Sequence, residues 1–126
     1  PLLYFVVSQG LGTYKSKLPE LNSDLRRIRT VCTASLDYLK QQPKDSFAVV
    51  YFDPMFRFPV QAASGMKPLR PLALEQPLTL ETVEEALRVA PRVVIKERGR
   101  KILQQLGCQE FSGGCYSSVI YGIRTR

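Results

Sequence analysis

The sequence predicts an α/β fold built on a mainly parallel sheet, and three observations carry that prediction. Two short apolar runs, Phe47-Ala48-Val49-Val50-Tyr51-Phe52 and Arg92-Val93-Val94-Ile95-Lys96, show almost no polar alternation. Strands buried on both faces of a parallel sheet have that pattern. Segments with helix start and stop signals separate these runs. Near the C-terminal end, Gly113-Gly114 lies between two further strand-like runs and reads as an antiparallel hairpin turn. The 126 residues leave room for one ordinary domain.

Each element has its own signal. Pro1 suits the first position of a helix in which Leu2, Leu3, Phe5, Val6 and Val7 make nearly every face apolar. Gly10 and Gly12 read as its stop. Residues 13–24 are polar, contain Pro19, and suit a short helix or a loop. The β-branched run 29–33 predicts a strand, after which Ser35 is placed to cap a helix over 36–42. Pro43-Lys44-Asp45 is a turn. The 47–52 strand ends abruptly at Asp53-Pro54, and residues 54–78 carry five prolines and few signs of regular structure. A loop of that length in a compact chain usually serves a function. Thr79 is the expected N-cap of a helix running to about Val89, with Glu81, Glu84 and Glu85 near its positive end. Pro91 interrupts, the 92–96 strand follows, and a basic helix over 99–106 closes at Gly107. Residues 109–111 and 118–123 are the arms of the terminal hairpin.

Composition narrows the chemistry. The chain has no histidine, which excludes Ser-His-Asp and Cys-His nucleophile systems and His-ligated metal sites. Three cysteines, Cys32, Cys108 and Cys115, form no CxxC pair, so reduced thiols in a cytoplasmic protein are the plain expectation. No run approaches the roughly eighteen apolar residues of a membrane span, so no membrane partner is expected. The formal charge of +7 favours a polyanionic partner. Most of that excess, a net +5, lies in residues 54–126. A solvated basic face would look the same.

The stretch richest in chemistry is Val49-Val50-Tyr51-Phe52-Asp53-Pro54-Met55-Phe56. It places an acid, a proline and an aromatic ring where a strand empties into the region beyond its carboxyl end, the usual ligand site of such sheets. A planar amine fits there. The Asp53 carboxylate can accept one N–H and the Pro54 carbonyl a second, which aims the nitrogen lone pair at an electrophile. Phe56 can stack on the ring that bears the amine. The same residues also suit a simple turn, with Phe56 and Phe58 packing over it.

Asp53-Pro54-Met55-Phe56 resembles the motif of S-adenosylmethionine-dependent methyltransferases that act on exocyclic amines of nucleobases. With methionine in third place, it is most similar to the small-subunit ribosomal RNA guanine-N2 methyltransferase family. The similarity continues through Ala34-Ser35-Leu36, Pro68-Leu69-Arg70 and Arg92-Val93-Val94-Ile95-Lys96. The resemblance implies a Rossmann-like class I methyltransferase fold, S-adenosylmethionine as cofactor and RNA as partner. It also implies residue roles. Ala34 and Ser35 would touch the adenosine part of the cofactor, and Asp53 would bind cofactor or target amine. Pro54, Met55 and Phe56 would shape the base pocket, with Arg57, Lys67 and Arg70 in the long loop as RNA contacts. Met55 stands where the wider motif has a second proline, and Arg57-Phe58-Pro59 differs from the basic stretch of the ribosomal RNA enzymes.

That fold also needs a glycine-rich turn after its first strand and an acid ending its second. Neither stands upstream of Ser35, and Gly10-Leu11-Gly12 follows a helix rather than a strand. The resemblance therefore implies that residues 1–126 are the C-terminal part of a single methyltransferase domain. The missing N-terminal strands would come from an upstream segment or from another chain. Two other classes remain open: a non-catalytic RNA-binding or assembly module of the same fold, and a different α/β nucleotide-binding enzyme. In all of these, the basic run 96–101 reads as a solvated loop and helix start, or as a phosphate contact.

Overall fold

A computed structural model of the chain describes residues 2–54, 76–114 and 118–126. It divides into two units, the first taking in residues 2–33 of the described chain and the second the described residues from Ala34 onward.

The first unit holds helices α1 (Leu2–Thr13) and α2 (Pro19–Arg27), which touch each other. The expected stop at Gly10 and Gly12 is wrong, because α1 runs through both. A glycine costs about 1 kcal/mol inside a helix but does not forbid it. The end of α1 is instead closed from outside. The Arg26 guanidinium donates to the Leu11 carbonyl and, at 2.9 Å, to that of Tyr14. No residue of α1 is buried within this structure, and Leu2, Tyr4, Phe5, Val6 and Val7 are exposed. Of the two readings for 13–24, the helix holds from Pro19 onward. Pro19 opens α2, with Glu20 in the first turn and Arg26 and Arg27 in the last, as the helix dipole favours. The turn before it is tied by Asn22, whose amide oxygen accepts from the Ser16 N–H at 2.7 Å and whose NH2 donates to the Ser16 carbonyl.

Residues 29–33 are not a strand. They adopt no regular structure and pair with none of the described strands. β-branched residues favour an extended chain, but only a neighbouring ladder makes it a strand.

The second unit is a mixed α/β assembly. Its elements are α3 (Ser35–Lys40), β1 (Val50–Phe52), α4 (Leu80–Val89), β2 (Arg92–Glu97), α5 (Arg100–Gln105), β3 (Glu110–Gly113) and β4 (Ile120–Thr125). The four strands form one sheet in the order β1-β2-β4-β3. β1 runs parallel to β2, whereas β4 runs antiparallel to both β2 and β3.

α3 starts at Ser35 itself, with Ala34 as the extended N-cap and no side-chain cap, one residue earlier than expected. So short a helix needs tertiary support. Arg88 supplies it, donating to the Leu39 carbonyl at 2.8 Å and the Gln42 carbonyl at 3.0 Å while pairing with Glu85. In α4 the sequence expectation holds in detail: the Thr79 hydroxyl accepts from the Thr82 N–H at 3.2 Å. The end of α5 is a Schellman motif. Gly107, at φ +81°, donates to the Gln104 carbonyl, and Cys108 donates to that of Leu103.

The core lies on one face of the sheet. Leu39, Val83, Ala86, Leu87, Val89, Val93, Ile95, Leu103, Leu106 and Cys108 form one buried cluster, flanked by Phe47, Val50, Phe52 and Phe111. β2 alternates accordingly, with Val93, Ile95 and Glu97 buried. The continuous burial expected of the 47–52 run is therefore corrected. Only Val50–Phe52 forms a strand, and Tyr51 is 52% exposed. Among the described residues β1 has a ladder partner on one side alone. Among the described residues, no helix is long and apolar enough to cross a membrane.

Candidate functional site

The parallel pairing of β1 with β2 builds the site. Val50, Tyr51 and Phe52 lie beside Val93, Val94 and Ile95. The next residue of each strand, Asp53 and Lys96, therefore emerges at the same level. Strand alternation puts Tyr51, Asp53, Val94 and Lys96 on the face away from the core. Across the other ladder Lys96 faces Tyr121. The carboxyl ends of the two parallel strands and the start of β4 thus bring an acid, an amine and two phenols to one face.

The geometry is close. The Lys96 ammonium donates to Asp53 Oδ2 at 2.9 Å, with the lysine side chain 26% exposed and that of Asp53 47%. This bond raises the Lys96 ammonium above the ordinary lysine value of 10.5, against the opposing effect of burial. Loss of solvent, followed by the Asp53 charge, raises the Tyr51 phenol, which Lys96 partly offsets. Lys96 is therefore a fixed cation at neutral pH, and Tyr51 stays protonated. Neither serves as a general base there.

Pro54 turns the other way. It lines a small recess with Pro77, Leu78, Ile95, Glu97, Ile102 and Leu106. Glu97, 6% exposed, is a buried acid at the carboxyl end of β2, and its Oε1 accepts the Arg98 N–H at 2.7 Å. The recess gives the Asp53-Pro54 turn an apolar back wall with one carboxyl group in it.

Of the residues expected at a site, Asp53 and Pro54 hold the strand-end position. Ala34 and Ser35 form the start of α3, and no hydrogen bond or ion pair joins them to Asp53 or Pro54 among the described residues. Met55, Phe56, Arg57, Lys67 and Arg70 lie outside the described residues. The basic run 96–101 is not a uniform solvated loop. Lys96 is a strand residue bound to Asp53, Glu97 is buried, and the Arg100 guanidinium stacks 4.4 Å above the Phe111 ring. Sequence reasoning missed the roles of Tyr51, Lys96 and Glu97. Aligning the Val-Val repeats at 49–50 and 93–94 would set Asp53 level with Glu97; the parallel register, with Val50 beside Val93, shifts it by one residue and sets Asp53 level with Lys96.

Comparison with known proteins adds one relative. The chain is 38% identical over 94 residues, 75% of its length, to the uncharacterized protein YpiP of Bacillus subtilis (strain 168). The matched stretch spans 37% of that protein's length, so this likeness covers only part of a longer chain. No family model matches, and no solved structure matches.

Proposed function

We propose that residues 1–126 are the C-terminal part of a Rossmann-like methyltransferase domain that methylates an exocyclic amine of a nucleobase, guanine in ribosomal RNA. One observation carries this reading: Asp53, the acid of the Asp-Pro-Met-Phe motif, stands at the carboxyl end of a strand in a parallel pair. That is where ligands of such sheets bind. The parallel β1–β2 pair followed by an antiparallel β4–β3 hairpin also agrees with the sheet that the motif's resemblance implies. The free flank of β1 among the described residues suits the two further strands such a sheet would need.

The chemistry asks little of this chain in acid–base terms. One Asp53 carboxylate oxygen accepts an N–H of the amine, the Pro54 carbonyl accepts the other, and Phe56 stacks on the base. Alignment of this kind, with local electrostatics, supplies much of a transfer's acceleration. When bound, S-adenosylmethionine supplies a sulfonium methyl: the N–C bond forms as the S–C bond breaks, the thioether leaves neutral, and the extra proton on nitrogen passes to water. Residues 1–126 fit that cofactor only in part. Ala34 and Ser35 are small groups suited to its adenosine end and Asp53 is an acid suited to cofactor or target amine, while the glycine-rich turn and ribose-binding acid are absent from this sequence. We assign those to polypeptide outside residues 1–126, a reading in keeping with the longer B. subtilis relative. Free, unpaired Cys32 and Cys108 suit a cytoplasmic setting.

The absent glycine-rich turn also favours a second reading, in which the chain is a non-catalytic RNA-binding or assembly module. The two part in one experiment. The full-length protein is incubated with ribosomal RNA and methyl-labelled S-adenosylmethionine, and the RNA is digested to nucleosides. Label on an exocyclic amine is expected. RNA binding without any label supports the module, and label on a ring carbon or ring nitrogen overturns the amine assignment.

A further inference from the structure

The ion pair at the ends of β1 and β2 has a partner the motif does not include. Asp53 is the first residue beyond a ladder of only three pairs, at the flank of the described sheet. A carboxylate in that place can turn among several rotamers. Lys96, by contrast, grows from β2, which has ladder partners on both sides, and its side chain is the more enclosed of the two. The better-fixed group is the lysine, so the lysine orients the acid.

Resting on the methyl-transfer reading, we propose that Lys96 is a positioning residue: it holds Oδ2 of Asp53 so that Oδ1 meets the N–H of the target, and it makes the site select an uncharged planar amine. The 2.9 Å contact uses one carboxylate oxygen and leaves the other with its lone pairs. An unpaired carboxylate would attract an alkylammonium group at least as strongly as a nucleobase amine. With the Lys96 ammonium 2.9 Å away, the pair is neutral overall, and a second cation is held far less strongly than by a lone carboxylate. The raised value of Lys96 keeps that cation in place throughout the neutral range. Tyr51 and Tyr121, on the same face, add hydroxyls.

The test uses Lys96→Met and Lys96→Arg in the full-length protein, with Asp53→Ala alongside. Lys96→Met should lower kcat by about 10²-fold, the scale of a reacting group misplaced by about 1 Å, while KM for S-adenosylmethionine stays within about twofold. Lys96→Arg, which restores the cation, should recover to within about tenfold of the original kcat. Butylammonium should inhibit Lys96→Met at least about tenfold more strongly than the unmodified protein, because the charge that neutralises Asp53 is gone. Full kcat in Lys96→Met beside an inactive Asp53→Ala would overturn the proposal and leave the methyl-transfer reading standing. Equal loss in the Met and Arg variants, with lowered melting temperatures in both, assigns Lys96 a purely structural role and also overturns it. Absence of transfer by the unmodified protein removes both.

Discussion

Gly122 tests the packing that holds the sheet under its helices. The residue lies in β4 on the covered face, opposite Ile95 on one side and Phe111 on the other. A Cβ there would stand 2.7 Å from Cys108 Sγ, 2.8 Å from Leu103 Cδ2 and 3.0 Å from Cys108 Cβ. Ordinary contact begins near 3.4 Å, so sulfur and methyl would have to give by about 0.7 and 0.6 Å. Neither has room, since Leu103 is fully buried and Cys108 is 6% exposed. Overpacking of this kind costs about 1–3 kcal/mol. Replacing glycine also restricts the unfolded chain, which returns about 0.4–1 kcal/mol. The net expectation is a loss of about 1 kcal/mol for Gly122→Ala and about 2–3 kcal/mol for Gly122→Val. Urea unfolding followed by circular dichroism reads this as a midpoint lowered by about 1 M for the valine variant, at an m-value of about 2 kcal/mol/M. A Leu103→Ala background should relieve part of the strain, so the double variant loses less than the two single losses added together, by about 1 kcal/mol. A valine variant as stable as the original, with additive effects, would refute the close approach of α5 to β4.

Three further outcomes follow from the same structure. Arg88→Met should destabilise the second unit by about 2 kcal/mol, because charge-assisted bonds to the Leu39 and Gln42 carbonyls are lost, and Arg88→Lys should recover only part of it on the same unfolding curve. Cys108 should resist iodoacetamide until the fold opens, since burial both covers its thiol and raises it, whereas exposed Cys32 labels at once; peptide mapping by mass spectrometry separates the two. Lys40 and Lys96 are both raised above 10.5, chiefly by hydrogen bonds to Glu81 and Asp53. A raised folded value contributes stability that is complete below the unfolded value and fades as pH climbs through the folded one. Melting temperature should therefore fall more steeply from about pH 10 to 12 in the original protein than in a Lys40→Met/Lys96→Met double variant.

What the sequence shows of this fold depends on how local each cause is. Thr79 caps α4 through its own third neighbour, and Gly107 ends α5 by a backbone angle, so both were readable from a few residues. The terminal hairpin was readable as well, because Gly113 and Gly114 both take positive φ between two runs of strand character. Distant partners decided the rest. α1 passes through Gly10 and Gly12 and is closed by Arg26, whose contact with Leu11 no window around the glycines contains. The 29–33 run has strand propensity and no ladder among the described residues. β1 is three residues long, and among the described residues it is paired on one flank. The candidate site divides in the same way. Asp53-Pro54 was visible as a motif, whereas Lys96 enters only through the parallel register that sets it beside Asp53.

In the proposed methyl transfer, the strand end at Asp53 is where an amine receives its methyl group. Methyl transfer from labelled S-adenosylmethionine to RNA, measured for the full-length protein and for its Asp53→Ala variant at equal folded concentration, tests it most directly. Transfer by the first is expected, with a loss of at least about 10²-fold in the second, on the scale of removing one aligned electrostatic contact. Undiminished transfer by Asp53→Ala would contradict it.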